Sequence, residues 1–269
     1  MNRKLLVPVL MLFLTQSSSL IRAQDKGGSS KADEVVQAAI EAMGGQAYLD
    51  VRTASSNGRY FMFNKGRKAF TRFWDWTVYK DPVMWRFQLN KGKRQSVQIF
   101  NLALKKGWSL EGLSTVEPMP EEAVKDFVRT VNKDMDYIFR NRLGQDGIQD
   151  FYYGPGDVSG PGNLEAVEFI DAANNSVVVF FNLDSHLPVK TESYFVDKSG
   201  VRRKEETEFY NWHEFKGVLA PLRYDTYIDG EMSTQRFLEE LSFNDPIPDG
   251  YFLEPIVEEK DKKKSKKDD

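Results

Sequence analysis

Cysteine is absent from this chain of 269 residues. Without cysteine there is no disulfide, so the hydrophobic core must stabilise the fold unaided. The chain also cannot carry a lipid on an N-terminal cysteine, which excludes that the protein is itself a lipoprotein.

Histidine is scarce as well, with only His186 and His213 in the chain. A zinc site needs several spaced ligands, such as those of an H-E-x-x-H helix. Glu214 follows His213 directly, and neighbouring side chains of a strand point to opposite faces. We therefore expect neither a metal site nor a cofactor.

Other catalytic signatures are missing or weak. The G-x-S-x-G sequence does not occur, so a serine hydrolase would lack its nucleophile. The glycine- and proline-rich segment 154–162 lacks the Gly-Lys-Ser/Thr that binds phosphates, and its prolines remove backbone donors. Three pairs of adjacent acidic residues could in principle be glycosidase carboxylates: Glu121-Glu122, Glu205-Glu206 and Glu239-Glu240. Their placement among other charges favours solvent-exposed faces instead. The sequence predicts a protein that is not an enzyme.

Long apolar runs are missing too. The longest, Leu5–Leu14, has ten residues interrupted by Pro8, whereas a transmembrane helix needs about 20. Two basic residues precede it and a polar stretch follows, which is typical of a secretory signal peptide. We expect cleavage after Ala23, with Ser19 as the alternative site. A retained interfacial anchor is the other interpretation of this segment.

An excess of basic residues is also lacking. The formal net charge is −3 and becomes −6 when the three basic residues of the leader are removed, so no nucleic-acid partner is expected. Residues 24–30 form a polar linker, and residues 31–257 fit a single β-domain, expected to be monomeric. The tail 258–269 has six lysines, five acidic residues and no apolar one. We expect this tail to be disordered and to bind anionic membranes little.

Two segments have the apolar spacing of an amphipathic helix. The first begins at Ser30, with Asp33 close to a capping-box position, and ends at two glycines. The second runs from Glu121 to Leu143 after two prolines. Its apolar stripe must cover another part of the molecule.

The remaining sequence has the pattern of strands. About ten segments are rich in aromatic and β-branched residues, and turn-type residues separate them. Asp229-Gly230 between two alternating runs is a strong hairpin signal. Strands and helices do not alternate as in βαβ units. These patterns predict a mainly β (α+β) fold, a meandering antiparallel sheet with the helices packed on one face.

Aromatic residues make up 13 % of the chain and are spread over nearly every predicted strand. An ordinary core is one interpretation of these rings. The other is a hydrophobic binding cavity, because a strongly twisted sheet covered by one helix cannot easily fill its own concave side. The candidate cavity residues are Phe61, Phe63, Phe73, Trp85, Phe87, Trp108, Phe127, Val131, Phe180, Phe209 and Trp212.

Several stretches of the sequence resemble the outer-membrane lipoprotein-carrier (LolA-like) family. They are Met43–Gly45 with the following Leu49–Thr53, then Tyr79–Phe87, Phe100–Ser109, Gly217–Pro221 and the terminal turn Phe243–Phe252 with Ile247-Pro248-Asp249. The likeness covers most of residues 31–255. It consists of turn and strand patterns rather than catalytic signatures.

The resemblance implies a curled antiparallel sheet that forms an incomplete barrel, with helices as a lid over a hydrophobic cavity. It also implies carriage of acyl chains between membranes without catalysis. Lipoprotein carriers have an arginine before the proline of the second-strand turn, which latches the lid; this chain has Asp81 there, so that latch is not carried over.

The sequence therefore predicts a periplasmic carrier or sensor of a hydrophobic ligand, lipid or lipoprotein acyl chains. Envelope lipoproteins and membrane proteins are further candidate partners. The alternative is a non-catalytic envelope interaction module that binds another protein through its sheet.

Overall fold

A computed structural model of the chain describes residues 30–64, 67–145, 147–155 and 163–257. The expected signal peptide 1–23, nearly all of the linker and the tail 258–269 lie outside the described residues. The same holds for most of the glycine- and proline-rich segment 154–162.

The first helix, α1 (Lys31–Ala42), begins at the predicted capping box. The backbone N–H of Asp33 donates to Ser30 Oγ at 3.1 Å, and the N–H of Ser30 donates to Asp33 Oδ2 at 2.9 Å. Gly44 ends this region with φ +123°, and a Cβ there would lie 2.2 Å from the carbonyl oxygen of Gly217. Glycine thus lets the end of the helix approach the sheet, and a short helix, α2 (Gln46–Leu49), follows.

Thirteen strands are described, and they form one antiparallel sheet. They are β1 (Thr53–Asn64), β2 (Arg67–Val78), β3 (Met84–Leu89), β4 (Ser96–Asn101), β5 (Lys106–Glu111), β6 (Thr115–Pro118), β7 (Ile148–Tyr153), β8 (Leu164–Asp171), β9 (Ser176–Asn182), β10 (Pro188–Val196), β11 (Arg202–Phe215), β12 (Val218–Ile228) and β13 (Glu231–Phe243). Their order is β6-β5-β4-β3-β2-β1-β13-β12-β11-β10-β9-β8-β7. Two meanders are thus joined where β1 pairs with β13. The predicted fold class, a curled antiparallel sheet forming an incomplete barrel, is confirmed.

The sequence patterns missed both edge strands of this sheet. The strand β6 has four residues and ends at Pro118, and β7 directly follows the mid-chain helical region. Short strands and proline are common at sheet edges because no further strand pairs there. Such strands carry little of the alternation that identifies longer ones.

The predicted helix from Glu121 to Leu143 is two elements with different environments. The first part, α3 (Glu121–Asn132), has only Val124 and Val131 buried. The second, α4 (Met135–Tyr137), continues as a π-helical turn over Ile138–Arg142. Ile138 and Phe139 in this turn are 1 % and 3 % exposed. The second part is therefore an anchor in the core, and α3 is the part left to act as a lid.

The main core fills one part of the inner face of the sheet. The ring of Phe139 lies 5.7 Å from that of Phe169 on β8 and 6.4 Å from that of Phe181 on β9. The apolar face of α1 belongs to the same cluster, and α1 packs against β7 and β8. The helix α3 packs against β5 and faces the inner sides of β1–β4 and β11–β13 across a space.

The segment after β13, Pro246–Val257, forms a C-terminal strap. Phe252 in this strap is 2 % exposed, and its carbonyl oxygen accepts a hydrogen bond from Asn101 Nδ2 at 3.1 Å. Val257 packs against a small cluster on β4 and β5, formed by Val97, Ile99, Trp108 and Leu110. The strap thereby connects the last strand with the other half of the sheet.

Candidate functional site

A cavity of about 760 Å³ lies between α3 and the inner face of the sheet. Its walls come from β1–β4 on one side and from β11–β13 on the other. This volume lies within the range of about 300–1,000 Å³ that is typical of small-molecule sites.

One wall of the cavity is a stack of aromatic rings. The ring of Trp85 on β3 lies 5.5 Å from that of Phe87 on the same strand and 6.1 Å from that of Phe100 on β4. The ring of Phe127 on α3 completes the stack, 4.3 Å from Phe100 and 5.5 Å from Trp85. Offset-stacked rings at these separations attract one another beyond their buried area. The lid is therefore seated on the wall through Phe127.

The outer face of the lid is charged. Lys125 Nζ lies 2.8 Å from Glu121 Oε1, and Arg129 pairs with Glu122 and Asp126. These pairs are exposed, so each contributes little to stability. The lid thus depends on its apolar face for its position.

The opposite wall is polar. Tyr60 of β1 lies opposite Arg236 of β13, and Arg236 lies opposite Tyr224 of β12, so the three side chains form one row across adjacent strands. All three line the cavity together with Asp75. Arg236 Nη1 donates to Asp75 Oδ2 at 3.2 Å. The cavity is therefore amphipathic rather than uniformly apolar.

Asp75 is buried beneath this polar wall. Its carboxylate also accepts hydrogen bonds from Thr77 Oγ1 and from Trp85 Nε1, each at 3.1 Å. Burial raises the pKa of Asp75 above its ordinary value, and the nearby Arg236 and these hydrogen bonds oppose that rise. A buried carboxylate with three donors is satisfied, so it holds Arg236 and Trp85 in place.

The junction between lid and anchor is pinned by polar contacts. Lys133 Nζ donates to the carbonyl oxygen of Tyr194 on β10 at 3.1 Å, and Asp134 caps α4 by accepting from the N–H of Tyr137 at 2.8 Å. Below them, Arg140 Nε donates to the carbonyl oxygen of Tyr48 at 3.1 Å. The end of the lid and the start of the anchor are therefore fixed to the rest of the domain.

Six of the predicted cavity residues do line this cavity. They are Trp85, Phe87, Phe127, Val131, Phe209 and Trp212.

The other five predicted residues lie elsewhere. Phe61 and Phe63 lie on the face of β1 opposite to Tyr60. There Lys68 Nζ lies over both rings, at 4.3 and 5.5 Å from their centres. Trp108 belongs to the cluster beneath the strap, and Phe180 lies under Lys190 on the face opposite the main core. Phe73 points inward but is fully covered by Tyr60, Phe87 and Arg236.

The polar row is the part of the site that sequence reasoning missed. Tyr60, Tyr224 and Arg236 each sit in a strand with clear alternation, so their common face could have been assigned. A search directed at aromatic and catalytic residues passes over them, because none belongs to a motif.

The described residues contain no group of three or more His, Cys, Asp or Glu side chains that could hold a metal ion. Both histidines are exposed. Among the described residues, no helix is both long enough and apolar enough to cross a membrane.

No family model and no curated protein matches this chain. Solved structures do match it. A DUF1329 family protein from Desulfovibrio piger is similar with a TM-score of 0.57 at 13 % identity, over 82 % of this chain and 97 % of that one. A domain described as that of an outer membrane lipoprotein-sorting protein from Vibrio parahaemolyticus gives 0.53 at 13 % identity, with the same coverage. A LolA superfamily protein from Nitrosomonas europaea gives 0.52 at 11 % identity, over 83 % and 97 %.

The fold is LolA-like. The family resemblance of the sequence is thus confirmed at the level of fold. Because identities of 11–13 % assign no residue roles, the site in this LolA-like chain is defined by its own geometry.

Proposed function

We propose that this protein is an exported, non-catalytic carrier or sensor that holds a hydrophobic ligand in the cavity beneath α3. The proposal places it in the periplasm, with its signal peptide removed near Ala23, and takes lipid or acyl chains as the ligand. The outer membrane lipoprotein-sorting domain with a similar fold supports this class of ligand.

The observation that carries the proposal is the aromatic wall of the cavity under a lightly seated lid. Trp85, Phe87 and Phe100 are held by the sheet, and Phe127 covers them from a helix with few buried residues. Each methylene group that leaves water for such a surface contributes about 0.8 kcal/mol. An acyl chain along this wall would therefore bind firmly, and displacement of α3 would open its path.

The proposal is tested with purified protein by solvent extraction, lipid mass spectrometry and titration with the apolar probe N-phenyl-1-naphthylamine. Two neighbouring residues of β1 offer matched variants, because Ser56 lines the cavity and Ser55 faces away from it. Ser56→Trp should fill the cavity and lower probe affinity at least about tenfold, whereas Ser55→Trp should leave it unchanged. A folded protein with no co-purifying lipid and no probe response would overturn the carrier proposal.

That outcome would favour the second candidate, an interaction module. The observation behind it is that the sheet ends at two edge strands, β6 and β7, and that Phe151 on β7 is 37 % exposed. Edge strands can bind a further strand from another protein.

A further inference from the structure

The polar wall of the cavity has more hydrogen-bond donors than acceptors. Arg236 donates to Asp75 through Nη1, while its Nε is buried with no partner among the described residues. The hydroxyls of Tyr60 and Tyr224 likewise make no hydrogen bond within the described part of the chain. The buried Nε of Arg236 has lost water without gaining an acceptor, which costs free energy, whereas the two hydroxyls are open to an acceptor from the cavity.

The donors are also fixed in position. The guanidinium of Arg236 lies 5.0 Å from the ring centres of both Phe73 and Tyr224, and Asp75 holds it from the side. Burial raises the pKa of Tyr224 above its ordinary value, so its hydroxyl keeps its proton at neutral pH. A ligand meeting this row encounters a guanidinium and two phenols in a set geometry.

The acceptors near the row are already in use. Asp75 accepts from Thr77, Trp85 and Arg236, and Thr207 and Thr226 bond to each other at 3.2 Å. A cationic head group would therefore find no unused carboxylate around Arg236 and would face its charge, although Asp134 and Asp136 also line the cavity and act on Tyr224. The partner that fits is an oxygen acceptor that is neutral or carries at most one negative charge, because Asp75 offsets the charge of Arg236 and the negative charges of Asp134 and Asp136 oppose any further one.

We propose that Tyr60, Arg236 and Tyr224 form a head-group site for a single-chain acyl amphiphile, binding the oxygens of its carboxylate or ester carbonyl. The acyl chain lies along the wall of Trp85, Phe87, Phe100 and Phe127. This inference rests on the proposed carrier function and adds the class of ligand to it. A cavity of about 760 Å³ accommodates one ligand of this size.

The test compares three ligands of equal chain length at pH 7.5 by displacement of N-phenyl-1-naphthylamine: hexadecanoate, its methyl ester, and hexadecyltrimethylammonium, whose head has no acceptor. Tyr224→Phe removes one hydroxyl with no protein partner, so folding should be unaffected. It should weaken the acid and the ester about fivefold and leave the ammonium ligand unchanged. Tyr227→Phe, on the same strand but outside the cavity, is the matched control and should change none of them.

The double variant Asp75→Asn, Arg236→Gln separates the two possible acyl ligands, because it removes both charges together and leaves neither one unpaired. If the site is built for the carboxylate of a free fatty acid, the affinity for hexadecanoate should fall more than about tenfold and that for the ester much less, since hydrogen bonds to charged groups are the stronger ones. If it is built for an ester carbonyl, the affinities for both ligands should fall by a similar, smaller factor.

Unchanged affinities for acid and ester in Tyr224→Phe and in the double variant, with the probe still bound, would overturn the head-group site and leave the carrier proposal standing. Failure of all three ligands to displace a bound probe from the wild-type chain would likewise overturn this class of ligand, whereas no probe binding and no co-purifying lipid would overturn the carrier proposal itself.

Discussion

Asp134 lies where the lid meets the anchor, surrounded by charged and aromatic side chains. Its carboxylate accepts from the N–H of Tyr137, and Asp136 and Arg140 lie close by. Arg140 pairs with Asp136 at 3.4 Å and lies over the rings of Tyr48 and Tyr79 at 4.3 and 4.5 Å. Asp134 is exposed and lines the cavity. Partial desolvation by the surrounding protein and then the negative charge of Asp136 raise the pKa of Asp134 to about 6, from an ordinary 3.8.

The raised pKa of Asp134 predicts a stability that depends on pH. Between about pH 4 and 6 the folded state holds more protons than the unfolded state, so the contribution of this group falls as pH rises through about 6. Asp134→Asn keeps a capping side chain and removes the titration. The variant should match the wild type near pH 4 and exceed it by about 1 kcal/mol at pH 7, a value reduced for screening by water that reaches the cavity. Urea unfolding at several pH values measures this, and a difference that stays constant with pH would contradict it.

Which aromatic residues face the cavity could be predicted only in part. Strand alternation correctly groups Trp85 with Phe87, and it separates Phe61 from Tyr60. It does not say which group faces inward, because both faces of β1 and β2 carry rings. The inner face is decided by pairing with distant strands, such as that of β1 with β13, and by a bulge at Asn57 and Gly58. Neither the distant pairing nor the bulge can be recognised in the local sequence. A choice of cavity residues by aromatic character therefore took rings from both faces of the sheet.

At the scale of elements, the lid differs from the anchor although one apolar stripe runs through both. Helical periodicity shows that a face is covered but not what covers it. The break at Lys133 and Asp134 separates a helix seated by Phe127 from a turn buried around Phe139. The sequence therefore predicted the existence of the lid helix and overestimated its length.

The lid predicts a specific response to a charge on its inner face. In Phe127→Asp a carboxylate would replace a ring stacked 4.3 Å from Phe100, which costs several kcal/mol unless the helix moves away. Because α3 has few buried residues, we expect it to move, so that ligand is lost at least about tenfold faster while the sheet stays folded. Stopped-flow release of N-phenyl-1-naphthylamine together with circular dichroism measures both.

A neighbouring residue supplies the control for this experiment. Val128 is 38 % exposed and does not line the cavity, so Val128→Asp should change neither release nor folding. Cooperative unfolding of the whole domain in Phe127→Asp would show that α3 is part of the core, and the lid would then have to be abandoned.

At the scale of the molecule, the distribution of the core explains why a cavity exists. The helix α1 and the anchor fill the inner face over β7–β9, and the remaining part of a thirteen-stranded sheet is too wide for α3 alone to fill. Strand count and turn signals predicted the antiparallel meander well, since hairpins are local. Local patterns could not predict the pairing of β1 with β13 or the two edge strands. They also could not predict how the inner face divides into core and cavity.

The C-terminal strap gives a prediction for the whole chain. Truncation after Val257 removes only residues 258–269, which have no apolar side chain to bury, so the melting temperature should stay unchanged. Truncation after Asp245 removes the strap. It exposes the site of Phe252 and leaves Asn101 Nδ2 without its acceptor.

Loss of the strap should lower stability by about 3 kcal/mol or more, since burial of one phenylalanine alone contributes about 1.5–3 kcal/mol. For a domain of this size that corresponds to a fall in melting temperature of roughly 6–12 °C. Phe252→Ala in the otherwise complete chain should account for a large part of the fall, because Phe252 is the buried apolar side chain of the strap. Calorimetry of the three variants distinguishes the contributions. Equal melting temperatures for the two truncations would show that the strap, although packed across β3–β5, does not stabilise the incomplete barrel.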